Sequence, residues 1–297
     1  MKILLAVDAS APSETAIRAV AGRPWPPNTA MEVISVVEPS YVWNVPSLVD
    51  GLRQAAEEQI QAIANRLRAS GCAVTTRMLF GDPKAVIVDH AAEIRADLIV
   101  VGSHGTDGLR QFFLGSVANA VVRFAPCSVE IARANANAGA GDRLSRVLLA
   151  TDGSEYSEVA ARSVAARPWP AGCEVRVFSV VELHVPLFQA PYPPYLNPHA
   201  MEDLRGEAMR RAEQALMAAE QIVVDAGLPE SSTVAVPVAI PQELILKEAA
   251  DWNADLIVLG SHGRRGFSRF LLGSVSEAVA SHAPCSVEVI RQARKAG

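Results

Sequence analysis

Lysine is nearly absent from this 297-residue chain: only Lys2, Lys84, Lys247 and Lys295 occur, and the formal net charge is −5. A nucleic acid needs a basic face, so that class of partner is excluded. The same scarcity removes the phosphate loop G-x-x-x-x-G-K-[ST], and the dinucleotide fingerprint G-x-G-x-x-G is missing as well. Cysteine is sparse: Cys72, Cys127, Cys173 and Cys285 show no C-x-x-C spacing, and they read as free thiols suited to a reducing cytoplasm. Long hydrophobic runs are also lacking. None approaches the roughly 18 residues that a membrane helix needs. The amino-terminal run Ile3–Val7 ends at a carboxylate with no small-residue cleavage site after it, which predicts a buried strand and not an export signal. No G-x-S-x-G elbow, no H-x-G-H signature and no histidine pair at helical spacing is present.

What the chain does contain is itself twice. DLIVVGSHGTDGLRQFFLGSVANAVVRFAPCSVE begins at Asp97, and DLIVLGSHGRRGFSRFLLGSVSEAVASHAPCSVE begins at Asp255. Upstream, LLAVDASAPSETAIRAV at Leu4 is answered by LLATDGSEYSEVAARSV at Leu148, and Arg-Pro-Trp-Pro recurs at Arg23 and Arg167. A duplication of this extent marks two structural units. Asn135–Gly141 is small and unpatterned and reads as a linker, so the units are expected at residues 1–134 and 143–297, joined by 135–142. Hydrophobic residues make up 50% and charged residues 20% of the chain, enough for two ordered cores.

Each unit alternates short apolar runs with helical patterns. In the first, strands are expected at Lys2–Val7, Glu32–Val37, Ala73–Leu79, Asp97–Val101 and Ser128–Ile131. Helices are expected from Ser13 to Ala21, from Val49 to Ser70 with Gly71 closing it, from Pro83, and from Val117 to Phe124. Near-continuous apolar strands separated by helices predict a parallel sheet covered on both faces, and right-handed crossovers make it doubly wound. The fold class is therefore α/β: two tandem doubly wound domains, each with a five-stranded parallel sheet. Ligands of such sheets bind at the strand carboxyl ends, where the winding direction switches. The second unit carries a proline-rich excursion, PLFQAPYPPYLNPHA, which reads as a surface arm or a lid.

The duplicated loop has a definite chemical capacity. Gly102-Ser103-His104-Gly105 is followed nine residues later by Gly115-Ser116. The first two glycines let the backbone approach a ligand, and the second pair opens a helix whose free amides and dipole favour an anion. A turn that merely connects strand to helix would have been duplicated just as faithfully. His104 and His262 serve either to brace the loop or as a base; Asp8 and Asp152, at strand ends, either cap a helix or meet a ribose hydroxyl or a metal.

The combination of Gly-x-x-Gly-x9-Gly-Ser after an apolar strand, the opening V-D-x-S-x-x-S-x-x-A and the closing A-P-C-x-V resembles the universal stress protein family, in its ATP-binding branch. The resemblance spans both units nearly end to end. It implies ATP in the cleft at the strand ends, with magnesium or manganese as an accompanying ion. By position, Ala6, Val7 and Asp8 would hold adenine and ribose, with Asp8 near the sugar or the metal; Val36 would meet adenine through its backbone; Val101 and Gly102 would line the ribose side; and Gly105, Gly115, Ser116 and Val117 would hold phosphates. The second unit matches at Ala150, Thr151, Asp152 (again ribose or metal), Val180, Leu259, Gly260, Gly263, Gly273, Ser274 and Val275. The resemblance also implies an internal pseudo-dimer, with Ser128–Ile131 pairing Ser286–Ile290, and leaves a further homodimer open. It implies a nucleotide-responsive stress or regulatory protein. The rivals are a slow ATPase, for which no obvious base presents itself, and a nucleotide-free scaffold.

The copies differ around their shared glycines. Arg264, Arg265 and Arg269 stand where the first copy has Thr106, Asp107 and Gln111, and Arg110 is answered by Ser268. Gly81-Asp82-Pro83 becomes Ala239-Ile240-Pro241. Unequal affinities are expected, the arginine-rich second site favouring a triphosphate.

Overall fold

The structure is a computed structural model that describes residues 1–38, 46–69, 71–104, 114–134, 144–180, 198–235, 240–263 and 272–292. The first unit runs β1 (Lys2–Ala6), α1 (Ala11–Ala21), β2 (Ala30–Val37), α2 (Pro46–Arg68), β3 (Ala73–Phe80), α3 (Pro83–Glu93), β4 (Leu98–Gly102), α4 (Ser116–Phe124) and β5 (Ser128–Ala132). The second repeats it as β6 (Arg146–Thr151), α5 (Glu155–Ala165), β7 (Glu174–Val180), α6 (Pro198–Asp225), β8 (Glu230–Ala235), α7 (Pro241–Asp251), β9 (Leu256–Gly260), α8 (Ser274–His282) and β10 (Ser286–Ile290). Within each unit the strands are parallel, in the order β3-β2-β1-β4-β5 and β8-β7-β6-β9-β10. The winding direction switches between β1 and β4, and again between β6 and β9.

Element ends depart from the sequence reading by one to three residues, for local reasons. The first helix begins at Ala11 and not at Ser13, because the Ser10 side chain accepts the Ser13 amide as N-cap. The long helix starts at Pro46, three residues earlier than expected, since proline tolerates the first turn of a helix. It ends at Arg68; Gly71 then donates its N–H to the Arg68 carbonyl (3.0 Å) with φ +84°, a conformation that favours glycine. Of the proline-rich excursion, Pro198 is the first residue of α6, and 186–197 lie outside the described residues. So does 135–143, which holds the expected linker.

Strands β5 and β10 do not end two separate sheets. They pair antiparallel, in the register Ile131↔Val287, Glu130↔Glu288, Val129↔Val289, and fuse both units into one ten-stranded sheet. Each strand's exit amide bonds the other's first serine: Arg133 N–H to Ser286 Oγ (3.1 Å), and Arg291 N–H to Ser128 Oγ (3.2 Å).

The two faces of this sheet are built differently. Under α3, α4, α7 and α8 a single apolar core crosses the junction, running from Leu4 and Ile99 through Val129, Ile131, Val287 and Val289 to Ile257 and Leu148. On the other face the apolar core is divided in two, one part under α1 and α2 and one under α5 and α6. Side chains alternate along a strand, so Glu130 and Glu288 fall on that divided face, each 1% exposed. Arg23 bonds Glu130, and Arg167 bonds Glu288 (2.9 Å). Each arginine lies over the tryptophan two residues on, at 4.2 Å from Trp25 and 5.2 Å from Trp169. The two indoles donate to the Val20 and Val164 carbonyls (2.9 and 2.8 Å) and so pin the motif to the helix before it. The duplicated Arg-Pro-Trp-Pro is thereby explained: it delivers a guanidinium to a carboxylate buried at the junction. Desolvation raises the Glu130 pKa above the usual carboxylate value; Arg23 opposes that shift and the facing Glu288 adds to it.

Candidate functional site

Because β2 and β4 flank β1, Ala6 is paired with Ile34 on one side and Val101 on the other; Ala150 is likewise flanked by Phe178 and Leu259. Val7, Asp8, Val36 and Gly102 extend past these pairs, as do Thr151, Asp152, Val180 and Gly260, so all lie at the carboxyl ends of the strands. The helix N-termini are drawn to the same end by one bond in each copy. Gly115 donates its N–H to the Ser103 carbonyl, and Gly273 to that of Ser261, both at 2.8 Å. That places Gly115, Ser116 and Val117 beside the end of β4, and Gly273, Ser274 and Val275 beside the end of β9. Gly263 meets Asp152 so closely that a Cβ on it would lie 2.8 Å from the carboxylate oxygen. Gly105 lies outside the described residues, as do Thr106, Asp107, Arg110, Gln111, Arg264, Arg265, Ser268 and Arg269, on which the expected charge asymmetry rests.

Helices α4 and α8 begin without a capping side chain: Gly115 and Gly273 occupy the N-cap in extended conformation and offer none. Ser10, Asp82 and Ser154, by contrast, each cap the helix that follows them. Ser116 and Ser274 are exposed. First-turn amides that no side chain caps among the described residues, together with the positive end of the helix dipole, form an anion-binding surface.

Asp8 does not cap a helix itself. Its Oδ1 accepts from the Ser10 amide (3.0 Å), the Ser10 hydroxyl and the Ser13 hydroxyl (2.6 Å), while its own amide donates to Ser13 Oγ (2.9 Å). Gln59 on α2 donates to the Asp8 carbonyl (3.0 Å). The second copy is wired differently because Val7 is replaced by Thr151. Thr151 Oγ1 donates to Ser157 Oγ (3.1 Å), and Ser157 in turn donates to the Ser154 carbonyl (2.9 Å), whereas its counterpart Ser13 donates to the aspartate. Asp152 Oδ1 keeps the bond from the Ser154 amide (3.0 Å). Ser276, which replaces Ala118, donates to the Gly260 carbonyl (2.7 Å) and ties α8 to its strand. Ser10, Ser13, Gln59, Ser157 and Ser276 were not singled out from sequence. The S-x-x-S spacing after the aspartate is a signal for three of them, Ser10, Ser13 and Ser157; Gln59 arrives from a helix distant in the chain and has none.

His104 Nδ1 and His262 Nδ1 each meet the hydroxyl of the preceding serine at 3.1 Å, which braces the loop. Nε2 of both rings is buried and has no hydrogen-bond partner among the described residues. Desolvation, and then the nearby Arg133 guanidinium, lower the His104 pKa below the usual imidazole value. His262 also lies against Tyr156, ring centroids 5.0 Å apart. Burial pushes the Cys127 and Cys285 thiols up to about 12, so neither is a nucleophile. Asp82, which the second copy replaces with Ile240, accepts the Lys84 amide (3.0 Å) as the N-cap of α3.

The donor set fits an anion with its charge spread over several oxygens, met by amides and hydroxyls. It does not make a cation cage. Among the described residues no group of three or more His, Cys, Asp or Glu could hold a metal. A hard divalent ion takes about six oxygens, so at Asp8 or Asp152 it would depend on oxygens brought by a ligand.

The sequence profile of the universal stress protein family matches this chain twice, over residues 1–133 and 144–291. A universal stress protein of Mycolicibacterium smegmatis is 30% identical over 97% of this chain and 96% of its own length. One of Mycobacterium tuberculosis is 32% identical over 74% of this chain and 69% of its own length. Among solved structures, a universal stress protein from Archaeoglobus fulgidus superposes with a TM-score of 0.65 over 98% of both chains at 20% identity, a likeness of fold. A putative universal stress protein from Pseudomonas aeruginosa does so with a TM-score of 0.57 over 98% of this chain and 93% of that one at 18% identity. With both halves matched by the family profile and a relative similar along almost its whole length, the chain belongs to the universal stress protein family, as a tandem of two such units.

Proposed function

We propose that each unit binds an adenine nucleotide, ATP foremost, at the carboxyl ends of its strands, and that occupancy serves a nucleotide-responsive regulator. The carrying observation is the pair of uncapped helix N-termini, Gly115-Ser116-Val117 and Gly273-Ser274-Val275, each drawn against the end of a central strand by a glycine amide. In this reading the amides and hydroxyls of Ser116 and Ser274 receive phosphate oxygens. Asp8 and Asp152, at the ends of the central strands, face the ribose hydroxyls. Ala6, Val36 and Val101, with Ala150, Val180 and Leu259, form the apolar floor under the base. Magnesium or manganese would arrive with the triphosphate and neutralise part of its charge. A cytoplasmic setting suits such a ligand and the four free thiols.

Slow hydrolysis is the second reading, and what favours it is the buried Nε2 of His104 and of His262, each without a partner among the described residues. It ranks lower because each ring already braces its own loop through Nδ1 and neither has been brought to a defined reacting atom.

The test is equilibrium dialysis of ATP with magnesium against the whole chain and against Ser116→Glu/Ser274→Glu. A carboxylate at the first position of a helix suits its dipole, so folding is kept while the anion is repelled. Expected are two bound equivalents in the wild type and at least tenfold weaker binding in the variant. No binding at millimolar ATP overturns the reading.

A further inference from the structure

The two candidate sites are linked by hydrogen bonds that cross the junction and close on themselves. In the first unit Gly115 N–H binds the Ser103 carbonyl (2.8 Å), and Ser103 N–H binds the Ala132 carbonyl at the end of β5 (3.1 Å). The next residue, Arg133, crosses into the other unit. Its Nη1 donates to the Ala283 carbonyl (3.0 Å) and its Nη2 to those of Ala280 (2.8 Å) and Ser281 (2.9 Å), which is the carboxyl end of α8. At the other end of α8, Gly273 N–H binds the Ser261 carbonyl (2.8 Å), and Ser261 N–H binds the Ile290 carbonyl at the end of β10 (2.9 Å). Arg291 follows, and its Nη2 donates to the Val122 and Arg123 carbonyls at the carboxyl end of α4, both at 2.8 Å. Helix α4 leads back to Gly115. The circuit passes once through the N-terminus of each uncapped helix.

Burial gives this circuit its grip. Burial lowers the Arg133 pKa to about 10, yet the group stays charged at neutral pH and sits on the negative end of the α8 dipole. Arg123 and Glu277 add a second tie between α4 and α8, at 3.5 Å. A nine-residue helix is a rigid rod of about 14 Å. An anion at one end and the other unit's guanidinium at the far end act on the same element.

We propose that the two nucleotide sites are positively coupled: occupancy of one tightens the unoccupied other through the Arg133–α8 and Arg291–α4 bridges. This rests on the nucleotide reading above. The first ligand orders a ring of bonds that the second would otherwise have to order, so the second binds more readily.

The test isolates one site. Gly263→Val is designed to obstruct the second cleft, since a Cβ there would meet the Asp152 carboxylate at 2.8 Å and the added side chain displaces it, while Gly263 itself is not part of the circuit. Ser274→Phe, at an exposed position, serves as the block if that variant does not fold. Amide hydrogen exchange is followed with and without saturating magnesium ATP. Loading the first unit should slow exchange at least threefold at Ser261 and Gly273, in the unit that holds no nucleotide. The added substitution Arg291→Met should at least halve that slowing, the Arg133–α8 bridge remaining, and leave protection at Ser116 and Val117 in place. Protection confined to the first unit, or undiminished by Arg291→Met, overturns the coupling and leaves nucleotide binding standing. Protection at none of these amides overturns both.

Discussion

A methyl group on Gly102 would lie 2.7 Å from the Pro12 carbonyl carbon, and one on Gly260 would lie 2.7 Å from that of Tyr156. These two glycines close the central strands β4 and β9, and the backbone opening α1 or α5 runs directly over them. Their place in the motif therefore has a packing cause, whatever a ligand also asks of the same backbone. Gly102→Ala or Gly260→Ala should cost about 1–3 kcal/mol, because the clash is with backbone that cannot rotate away. Urea unfolding of the whole chain measures this; an unchanged midpoint would mean that the helix start yields freely. Asp8 shows the complementary case. The sequence marked it as a strand-end carboxylate with two roles open, and the structure shows it holding Ser10 and Ser13 in place for α1 while remaining at the strand ends. That outcome turns on two hydroxyls three residues apart, and one methyl-for-hydroxyl difference, Val7 against Thr151, reroutes the same bonds in the second copy.

Among the helices, α3 and α7 differ at one position that matters. Asp82 caps α3, whereas Ile240, at the same point of α7, offers no hydrogen bond and is 50% exposed. Asp82→Ala should lose about 1 kcal/mol, and Ile240→Asp should gain about 0.5–1 kcal/mol by supplying the missing cap and removing an exposed apolar side chain. Thermal unfolding of both variants checks the pair, and a loss of stability in Ile240→Asp would contradict it. A second divergence between the copies keeps its complementarity. Glu32 on β2 and His90 on α3 stand 3.2 Å apart, and their counterparts Arg176 on β7 and Glu248 on α7 form an ion pair at 2.7 Å. Strand-to-helix contacts of this kind were not readable from either segment alone. The helices themselves were, since proline at the first turn and glycine after the last are local signals.

The whole molecule turns on the junction at β5 and β10. Two carboxylates directly opposite one another in a sheet repel, and Glu130 and Glu288 are tolerated because each unit brings its own arginine. A buried pair is harmful when halved and replaceable when removed whole. Arg23→Met alone should therefore cost about 3–5 kcal/mol by stranding Glu130, while Arg23→Met with Glu130→Leu should recover most of the loss. Guanidinium unfolding at neutral pH separates the two, and equal losses would show that the charges are not what holds the junction. On the opposite face the core is continuous across both units, so the chain is expected to unfold as one body and not as two independent domains.

Local chemistry in the sequence was enough to determine the alternation of strand and helix, the duplication, the membership of a family and the position of the glycine loop. Each depends on periodicity, turn residues or motif spacing within a few tens of residues. The anomaly of a glutamate inside each short apolar strand, and the repetition of Arg-Pro-Trp-Pro, were also in plain view, but nothing local connects them. Arg23 is separated from Glu130 by 107 residues, and Arg133 from Ala283 by 150. Such contacts exist only once β5 and β10 have chosen an antiparallel register. The pairing of β5 with β10 was already an expectation of the family resemblance; tertiary structure alone decided its antiparallel register, that the carboxylates are buried face to face, and that each helix opening on a candidate site is held at its far end by the other unit's arginine.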